Sequence, residues 1–333
     1  MMNKHLSQVI SVVLLTIIPM AILRASENTD DARYWLNKMS GAMGSKSFKG
    51  TFVYQGYNEM VAMNIIHITD ENGTRERLIS LNGAQGEVIR DHQGVTCILP
   101  NLSPVVLDKR GFNQVFPVKM IDVIDQRRNL YEVSTRKAHQ VAGRETHVIT
   151  IKPADHFRYG YRLWVDEETG LLLKSQLIDT KGEVLEQLMY ISVEIYDTAP
   201  EVFRQLLPPK TAMPAQEDPV TLPDQVAAKP EGHGWQVEHL PEGFSLAEYN
   251  KIKPDMNKNF EHMVYTDGLV SVSVFIEKRN RPPLFSGVSH MGAVTAYGSM
   301  INEHQVTVVG EVPLETLQIM SGSIRYTTAG LHQ

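Results

Sequence analysis

The chain has 333 residues, of which 42% are hydrophobic and 21% are charged, and its net charge is −6. This composition excludes disordered and fibrous proteins, and the length predicts two domains. The acidic balance argues against nucleic acid as a partner, because domains that bind nucleic acid carry clustered positive charge.

The N-terminus has the layout of a secretory signal peptide. Lys4 precedes an apolar run over residues 9–23, which is followed by Arg24 and Ala25. We expect cleavage near Ala25 and a soluble protein in the periplasm. The alternative is an uncleaved membrane anchor, although the run barely reaches the roughly 20 apolar residues that a span needs. Removal of residues 1–25 leaves a net charge of −8.

The sequence contains a single cysteine, Cys97, so the exported protein has no internal disulfide. No cysteine follows the apolar run, which argues against lipidation at that point. Cys97 lies in the alternating run 95–99, and this pattern predicts a strand interior. A thiol in that position behaves as a small hydrophobic group rather than as a nucleophile.

The first predicted helix covers Ala32 to Met43, with carboxylates at Asp30 and Asp31 and a stop at Gly44. A second helical pattern lies around 116–124. Turn signals separate the predicted strands, which indicates an antiparallel, hairpin-linked sheet of about ten strands and two helices. The strands before residue 159 are 48–54, 60–69, 74–81, 87–91, 95–99, 130–136 and 146–152.

A meander of three strands over 159–195 gives the clearest alternation in the chain. Its apolar positions predict one continuous face that other elements must cover. A sheet with so many strands tends to curl into an unclosed barrel covered by helices. We expect either a lipid pocket beneath the helices or a fully packed core with no room for a ligand. The candidate pocket residues are Tyr161, Leu163, Val165, Leu171, Leu173, Leu177, Leu185, Met189 and Ile191.

Residues 109–144 are locally basic. Such a patch could meet an acidic protein segment or the phosphates of a lipid headgroup, because guanidinium groups fork onto oxyanions. The alternative is an ordinary solvated face of a strand. The candidate binding residues are Arg127, Arg128, Arg136 and Lys137.

A proline-rich stretch divides the chain. Residues 209–230 have no periodic apolar pattern, which predicts an extended linker between a large β domain at 26–208 and a small α+β domain at 231–333. The small domain has predicted strands at 235–240, 262–265, 270–277 and 305–309 and a closing helix at 313–324.

The sequence lacks the common catalytic and metal-binding motifs. HExxH, GxSxG and paired Cys-x-x-Cys are absent, and the histidines are scattered. Asp166, Glu167 and Glu168 fall in a predicted turn, which accounts for them without chemistry. We therefore expect no enzyme, no cofactor and no metal site.

Specific strings occur in both predicted domains. The large domain contains Trp35-Leu36, FKGTFVY at 48–54, ERLISLNG at 76–83, EVIRD at 87–91, LWVD at 163–166 and TGLL at 169–172. The small domain contains LPEGF at 240–244, VYTDGLVSVSVF at 264–275 and QVTVVGEVP at 305–313. In both domains, and in the same order, these strings resemble the RseB/MucB family of regulators of the sigma-E envelope-stress response.

The resemblance implies a large domain similar to the lipoprotein carriers LolA and LolB. It also implies binding of the periplasmic part of the anti-sigma factor RseA, which is shielded from the protease DegS until lipopolysaccharide or mislocalised lipoprotein triggers its release. The acyl chains of such molecules are the implied lipid ligands. The alternative is a periplasmic lipid or lipoprotein carrier of the LolA type, which would need only the first domain. The choice between a monomer and a homo-oligomer stays open.

Overall fold

The computed structural model describes residues 20–56, 59–71, 73–83, 86–91, 94–98, 105–108, 120–127, 129–206, 234–252, 260–279 and 283–327. The predicted linker and most of the predicted signal peptide lie outside these residues. None of the described helices is long and apolar enough to cross a membrane.

Residues 20–206 form one unit, here called the large domain. Its helices are α1 (Met20–Ser45), α2 (Met120–Gln126) and α3 (Glu201–Leu206). Its strands are β1 (Ser47–Gly56), β2 (Glu59–Asp70), β3 (Gly73–Ser80), β4 (Glu87–Arg90), β5 (Gly94–Ile98), β6 (Val105–Asp108), β7 (Tyr131–Val141), β8 (Arg144–Pro153), β9 (Gly160–Asp166), β10 (Leu172–Ile178) and β11 (Val184–Tyr196).

These strands form one antiparallel sheet in the order β6-β5-β4-β3-β2-β1-β11-β10-β9-β8-β7. The chain runs outward from β1 to one edge, crosses to β7 at the opposite edge, and returns to pair β11 with β1. Among the described ladders, β6 and β7 do not pair with each other, so the sheet is open. The prediction of a mainly β protein with an unclosed antiparallel sheet and few helices is confirmed.

The sheet has two faces that carry different elements. We call the face with Phe48, Ile65 and Leu163 the inner face; α1 and α2 pack on it over β7–β10. Helix α3 packs on the opposite, outer face, where Phe203 contacts Ile68. The two faces differ because side chains alternate along each strand, and the apolar set of β7–β10 points toward α1.

Residues 234–327, here called the small domain, form two further sheets. Strand β12 (Gly234–Val237) pairs with β19 (Ile324–Thr327). The larger sheet has the order β13-β14-β15-β18-β17-β16, and α4 (Leu314–Gly322) packs on it. These strands are β13 (Ser245–Ile252), β14 (Phe260–Thr266), β15 (Ser271–Lys278), β16 (Gly287–Met291), β17 (Val294–Ile301) and β18 (His304–Gly310).

Several predicted boundaries were wrong. Helix α1 begins at Met20, so Asp30 and Asp31 lie within the helix instead of at its start. Ile324 belongs to β19, because α4 ends at Gly322. The sequence pattern did not predict β6, β13, β16, β17, β19 or the short helix α3.

Candidate functional site

Helix α1 covers the inner face over β7–β10. Trp35 and Leu36 are at most 7% exposed and pack in one cluster with Leu163 and Val165, both 0% exposed. The Trp35 ring also stacks on His147, with the ring centroids 4.0 Å apart. These side chains fill the space between helix and sheet, so the inner face over β7–β10 is packed core.

The predicted pocket residues do not share one environment. Buried side chains are Leu163, Val165, Leu171, Leu173 and Leu177, half-buried ones are Tyr161, Leu185 and Met189, and Ile191 is 58% exposed. The inner face therefore does not continue through all nine positions.

The predicted face of β11 was wrong, and the register shows why. Met189 lies opposite Lys174, whereas Leu188 lies opposite Ser175, which in turn lies opposite Leu163. Opposite residues of an antiparallel pair share a face, so Leu188 is on the inner face and Met189 on the outer one. A β-bulge between β1 and β11 at Ile191 then reverses the alternation.

A row of apolar side chains crosses the inner face on the side of the sheet away from α2. Ile65 lies opposite Leu78, Leu78 opposite Val88, and Val88 opposite Cys97. Except for Ile65, which is 8% exposed, the members of this row are only half-buried. We call Ile65, Leu78, Val88 and Cys97 the inner strip. Its apolar atoms are only partly covered and remain accessible to a ligand.

Gly50 extends the inner strip into β1. A Cβ atom at Gly50 would lie 2.5 Å from the carbonyl oxygen of Ser192 and 3.1 Å from the Tyr190 ring. The missing side chain therefore lets the buried Tyr190 ring lie against the sheet. Burial raises the pKa of the Tyr190 phenol, so the ring stays uncharged.

A polar network borders the inner strip. His67 Nδ1 is 2.9 Å from Glu76 Oε1, and Arg90 Nη1 donates to Glu76 Oε2 at 3.1 Å. The Phe48 ring stacks on His67 at 4.5 Å. Burial raises the pKa of Glu76, but the hydrogen bond and charge of His67 and the charge of Arg90 outweigh it and hold that pKa below its ordinary value.

The predicted basic residues are separated. Arg127 lies at the contact between the domains, where its Nη1 would be 3.2 Å from a Cβ atom on Gly243. Arg136 and Lys137 are exposed on β7, and Lys137 Nζ lies 3.3 Å from Glu167. Arg128 lies outside the described residues. Headgroup or partner binding by these side chains stays a prediction.

The inner strip was not predicted, although part of its signal is present in the sequence. Leu78 and Val88 occupy alternating positions of predicted strands, but single-strand alternation cannot tell which of two half-buried faces is covered. Only the pairing of four strands, β2 to β5, places these residues in one row. In the described ranges, no cluster of His, Cys, Asp and Glu side chains could hold a metal ion.

Comparisons with known proteins cover both domains. The model of the MucB/RseB N-terminal domain matches residues 31–213, and that of the MucB/RseB C-terminal domain matches residues 229–325. The "Sigma factor AlgU regulatory protein MucB" of Pseudomonas aeruginosa is 33% identical over 89% of this chain and 91% of its own length. The "Sigma-E factor regulatory protein RseB" of Haemophilus influenzae is 27% identical over 91% of this chain and 93% of its own length.

Solved structures agree with this assignment. The structure of the Pseudomonas aeruginosa MucA/MucB complex contains a chain with a TM-score of 0.69 and 30% identity, and the match covers 90% of this chain and all of that one. A crystal structure of MucB with MucA(peri) gives a TM-score of 0.68 with the same identity and coverage. Since family models match both domains and a relative above 30% identity spans nearly the whole chain, the chain belongs to the MucB/RseB family.

Proposed function

We propose that this protein binds the periplasmic segment of an anti-sigma factor and thereby keeps the cognate sigma factor inactive. The observation that carries the proposal is the similarity of the whole two-domain chain to MucB, including a MucB chain solved in complex with MucA. An arrangement that uses both domains fits a regulator better than a carrier, because a carrier of the LolA type would need only the first domain. The described residues offer packing and polar surfaces rather than a reaction centre, so we propose a non-enzymatic role.

The proposal places the protein in the periplasm. The charged start, the apolar run over 9–23 and the residues around Ala25 have the order of a cleavable signal peptide. Mass spectrometry of the protein from the periplasmic fraction tests this directly. A mature N-terminus near Ser26 is expected, and an intact N-terminus would contradict cleavage.

Protection from proteolysis is the measurable consequence. The protein without residues 1–25 is added to a tagged periplasmic segment of the anti-sigma factor from the same genome, together with DegS. We expect cleavage to slow as the protein concentration rises, because a bound segment is withheld from the protease. Unchanged cleavage at saturating protein would refute the regulator function.

We further propose that an acyl chain releases the segment by occupying the inner strip. Each CH₂ group moved out of water contributes roughly 0.8 kcal/mol, so a chain of about ten carbons can offset several kcal/mol of partner contacts. Lipopolysaccharide is the ligand to add in the protection assay, and renewed cleavage is the expected result.

A matched pair of substitutions tests the inner strip. Leu78 and Ile79 are neighbours on β3, both half-buried, and they point to opposite faces. Leu78→Lys should weaken lipopolysaccharide binding while Ile79→Lys leaves it near wild type. Equal effects of the two substitutions would show that the lipid binds elsewhere.

A further inference from the structure

Arg158 joins the two domains. It lies between β8 and β9 of the large domain with 0% of its surface exposed. Its Nε and Nη2 donate to the carboxylate of Asp155 at 3.1 and 2.8 Å. Its Nη1 donates to Asp267 Oδ2 at 2.5 Å, and Nη2 also donates to the carbonyl oxygen of Glu242 at 2.6 Å. One guanidinium therefore holds acceptors from both domains.

Aromatic rings enclose the same guanidinium from both sides of the contact. The Arg158 Cζ atom lies 5.6 Å from the ring centre of Tyr131 in the large domain and 5.2 Å from that of Phe244 in the small domain. The Tyr131 hydroxyl donates to Asp267 Oδ2 at 2.5 Å. We call this arrangement the Arg158 socket; its members are Tyr131, Asp155, Arg158, Glu242, Phe244 and Asp267.

Asp267 is also held by hydrogen bonds within the small domain, which do not depend on Arg158. Its Oδ1 accepts hydrogen bonds from the backbone N–H groups of Leu269 and Val270, at 2.9 and 3.0 Å, within the turn between β14 and β15. Asp267 is also 0% exposed. A rigid turn therefore holds the Asp267 carboxylate, and the carboxylate can move only together with the small domain.

Two glycines allow the backbones of the small domain to approach closely. Gly243 has φ +86°, and a Cβ atom there would lie 2.3 Å from Leu130 Cδ1. Gly268 has φ +100°, and its Cβ would lie 2.8 Å from Val123 Cγ1. Both glycines flank the Arg158 socket, so the two domains are closely packed against each other at this point.

The chemistry of the socket is specific for arginine. The planar fork of a guanidinium serves several acceptors in fixed directions and stacks between rings, whereas an ammonium group does neither. Removal of the Arg158 charge would leave the buried Asp267 carboxylate without a cation, which favours separation of the domains so that water can reach it. Removal of the Asp267 charge would leave Arg158 paired only with Asp155 of its own domain, so that no ion pair would join the two domains at this point.

We propose that Arg158 is a positioning residue that fixes the small domain on the large one, and that binding of the anti-sigma segment depends on this fixed arrangement. The second half of this inference rests on the proposed function. The first half concerns the protein alone and is measured without a partner.

The test compares four variants of the chain without residues 1–25: Arg158→Gln, Arg158→Lys, Asp267→Asn and the control Arg144→Gln. Arg144 also forms a two-point hydrogen bond with an aspartate, Asp166, but both residues lie in the large domain. Small-angle scattering gives the radius of gyration, calorimetry gives the number of unfolding transitions, and titration with the anti-sigma segment gives the affinity.

We expect each of the three socket variants to raise the radius of gyration, to split unfolding into two transitions and to weaken segment binding by about tenfold or more. Arg158→Lys should behave like Arg158→Gln despite its charge. Arg144→Gln should lower the unfolding temperature of the large domain and leave both the radius of gyration and the affinity unchanged.

Two results would overturn the inference, and a third would overturn only the function on which its second half rests. Wild-type scattering with a single transition in Arg158→Gln would show that the socket does not hold the domains. Separated domains with wild-type affinity would show that the fixed arrangement does not matter for the partner. Failure of the wild-type protein itself to bind the segment would refute the proposed function, and the scattering would still decide whether Arg158 holds the domains.

A further variant keeps the test decisive if loss of Arg158 prevents folding. Gly243→Ala leaves every charge of the socket in place but puts a methyl group against Leu130. We expect the same rise in the radius of gyration and the same loss of affinity. A wild-type radius and affinity in this variant would contradict the close fit on which the proposal depends.

Discussion

Asp166 closes the turn between β9 and β10. Its Oδ2 accepts hydrogen bonds from the backbone N–H and the hydroxyl of Thr169, and Arg144 donates to both of its oxygens at 2.8 and 3.0 Å. Burial raises the pKa of Asp166, but the hydrogen bonds from Arg144 and Thr169 outweigh it, so the pKa lies below its ordinary value. The prediction that this carboxylate belongs to a turn is confirmed by its hydrogen bonds from Thr169.

Asp166→Asn should lower the free energy of unfolding at pH 7 by about 1–3 kcal/mol, since the amide cannot replace the ionised acceptor. The folded pKa is depressed, so this stabilisation is present above the ordinary pKa of the unfolded carboxyl and is lost as the pH falls through the folded pKa. Denaturant titrations at pH 7 and in acid measure the difference from wild type. A difference that did not shrink in acid would contradict the assignment.

Cys97 lies in β5 as predicted, half-buried in the inner strip. Cys97→Ala removes one sulfur atom from a surface that still has apolar neighbours on both sides. We expect binding of the anti-sigma segment to persist and the free energy of unfolding to fall by less than about 1 kcal/mol. Loss of binding without a change in the unfolding midpoint would identify Cys97 as a functional residue.

At the scale of the elements, β10 and β11 provide a matched pair of sites. Leu173 sits at a bulge of β10 and is 0% exposed in one cluster with Phe48 and Phe52, whereas Ile191 on β11 is 58% exposed. Leu173→Lys should unfold the large domain or lower its free energy of unfolding by several kcal/mol, because a lone charge would be buried. Ile191→Lys should change it by less than about 0.5 kcal/mol.

Thermal unfolding followed by circular dichroism measures both variants. If Leu173→Lys were as stable as wild type, the result would contradict burial of Leu173 in the core cluster. If Ile191→Lys lowered the stability more than Leu173→Lys, the result would contradict exposure of the Ile191 side chain at the bulge.

The strands were predictable where the alternation was unbroken. Tyr161, Leu163 and Val165 fall on one face of β9 as the period-2 pattern predicts, and β8 and β10 pair on either side of β9. Prediction failed where a bulge shifts the register, because one extra residue reverses the face of every following side chain. The bulge at Ile191 carries no proline or glycine that would have marked it.

The candidate site was less predictable than the fold. The inner strip depends on which strands lie side by side, and the Arg158 socket joins Arg158 to Asp267 across more than a hundred residues of sequence. Alternation marks the single strands of the inner strip but not which strands are neighbours, and the Arg158 socket leaves no local pattern. A buried arginine in the β8–β9 loop cannot be told from an exposed one in the sequence, because most arginines lie on the surface.

At the scale of the whole molecule, each domain covers part of the other. Thr316 Oγ1 donates to the carbonyl oxygen of Phe157 at 2.7 Å, and the Ala293 N–H donates to Glu186 Oε1 at 2.8 Å. Leu269 packs against the same cluster that α1 covers. A large domain produced alone would expose these surfaces to water.

Truncation to residues 26–210 should therefore leave a folded large domain with a lower unfolding temperature than the two-domain protein. We also expect weak binding of the anti-sigma segment, since the small domain would be missing from the proposed binding arrangement. Circular dichroism checks the fold and calorimetry the affinity. Full affinity in the truncated protein would show that the small domain is not needed for binding.

The order of strands in the large sheet has a kinetic consequence. Every ladder in that sheet links strands that follow each other in the chain, except the seam between β1 and β11, where Ser47 meets Tyr196 and Gly56 meets Glu186. Local hairpins close quickly, whereas a distant pairing must first meet the entropic cost of closing a long loop. During synthesis β1 is made first and its partner last, so one edge of β1 stays unpaired until nearly the whole large domain exists. An unpaired edge can recruit other chains, which makes this interval the period when the protein is most prone to aggregate.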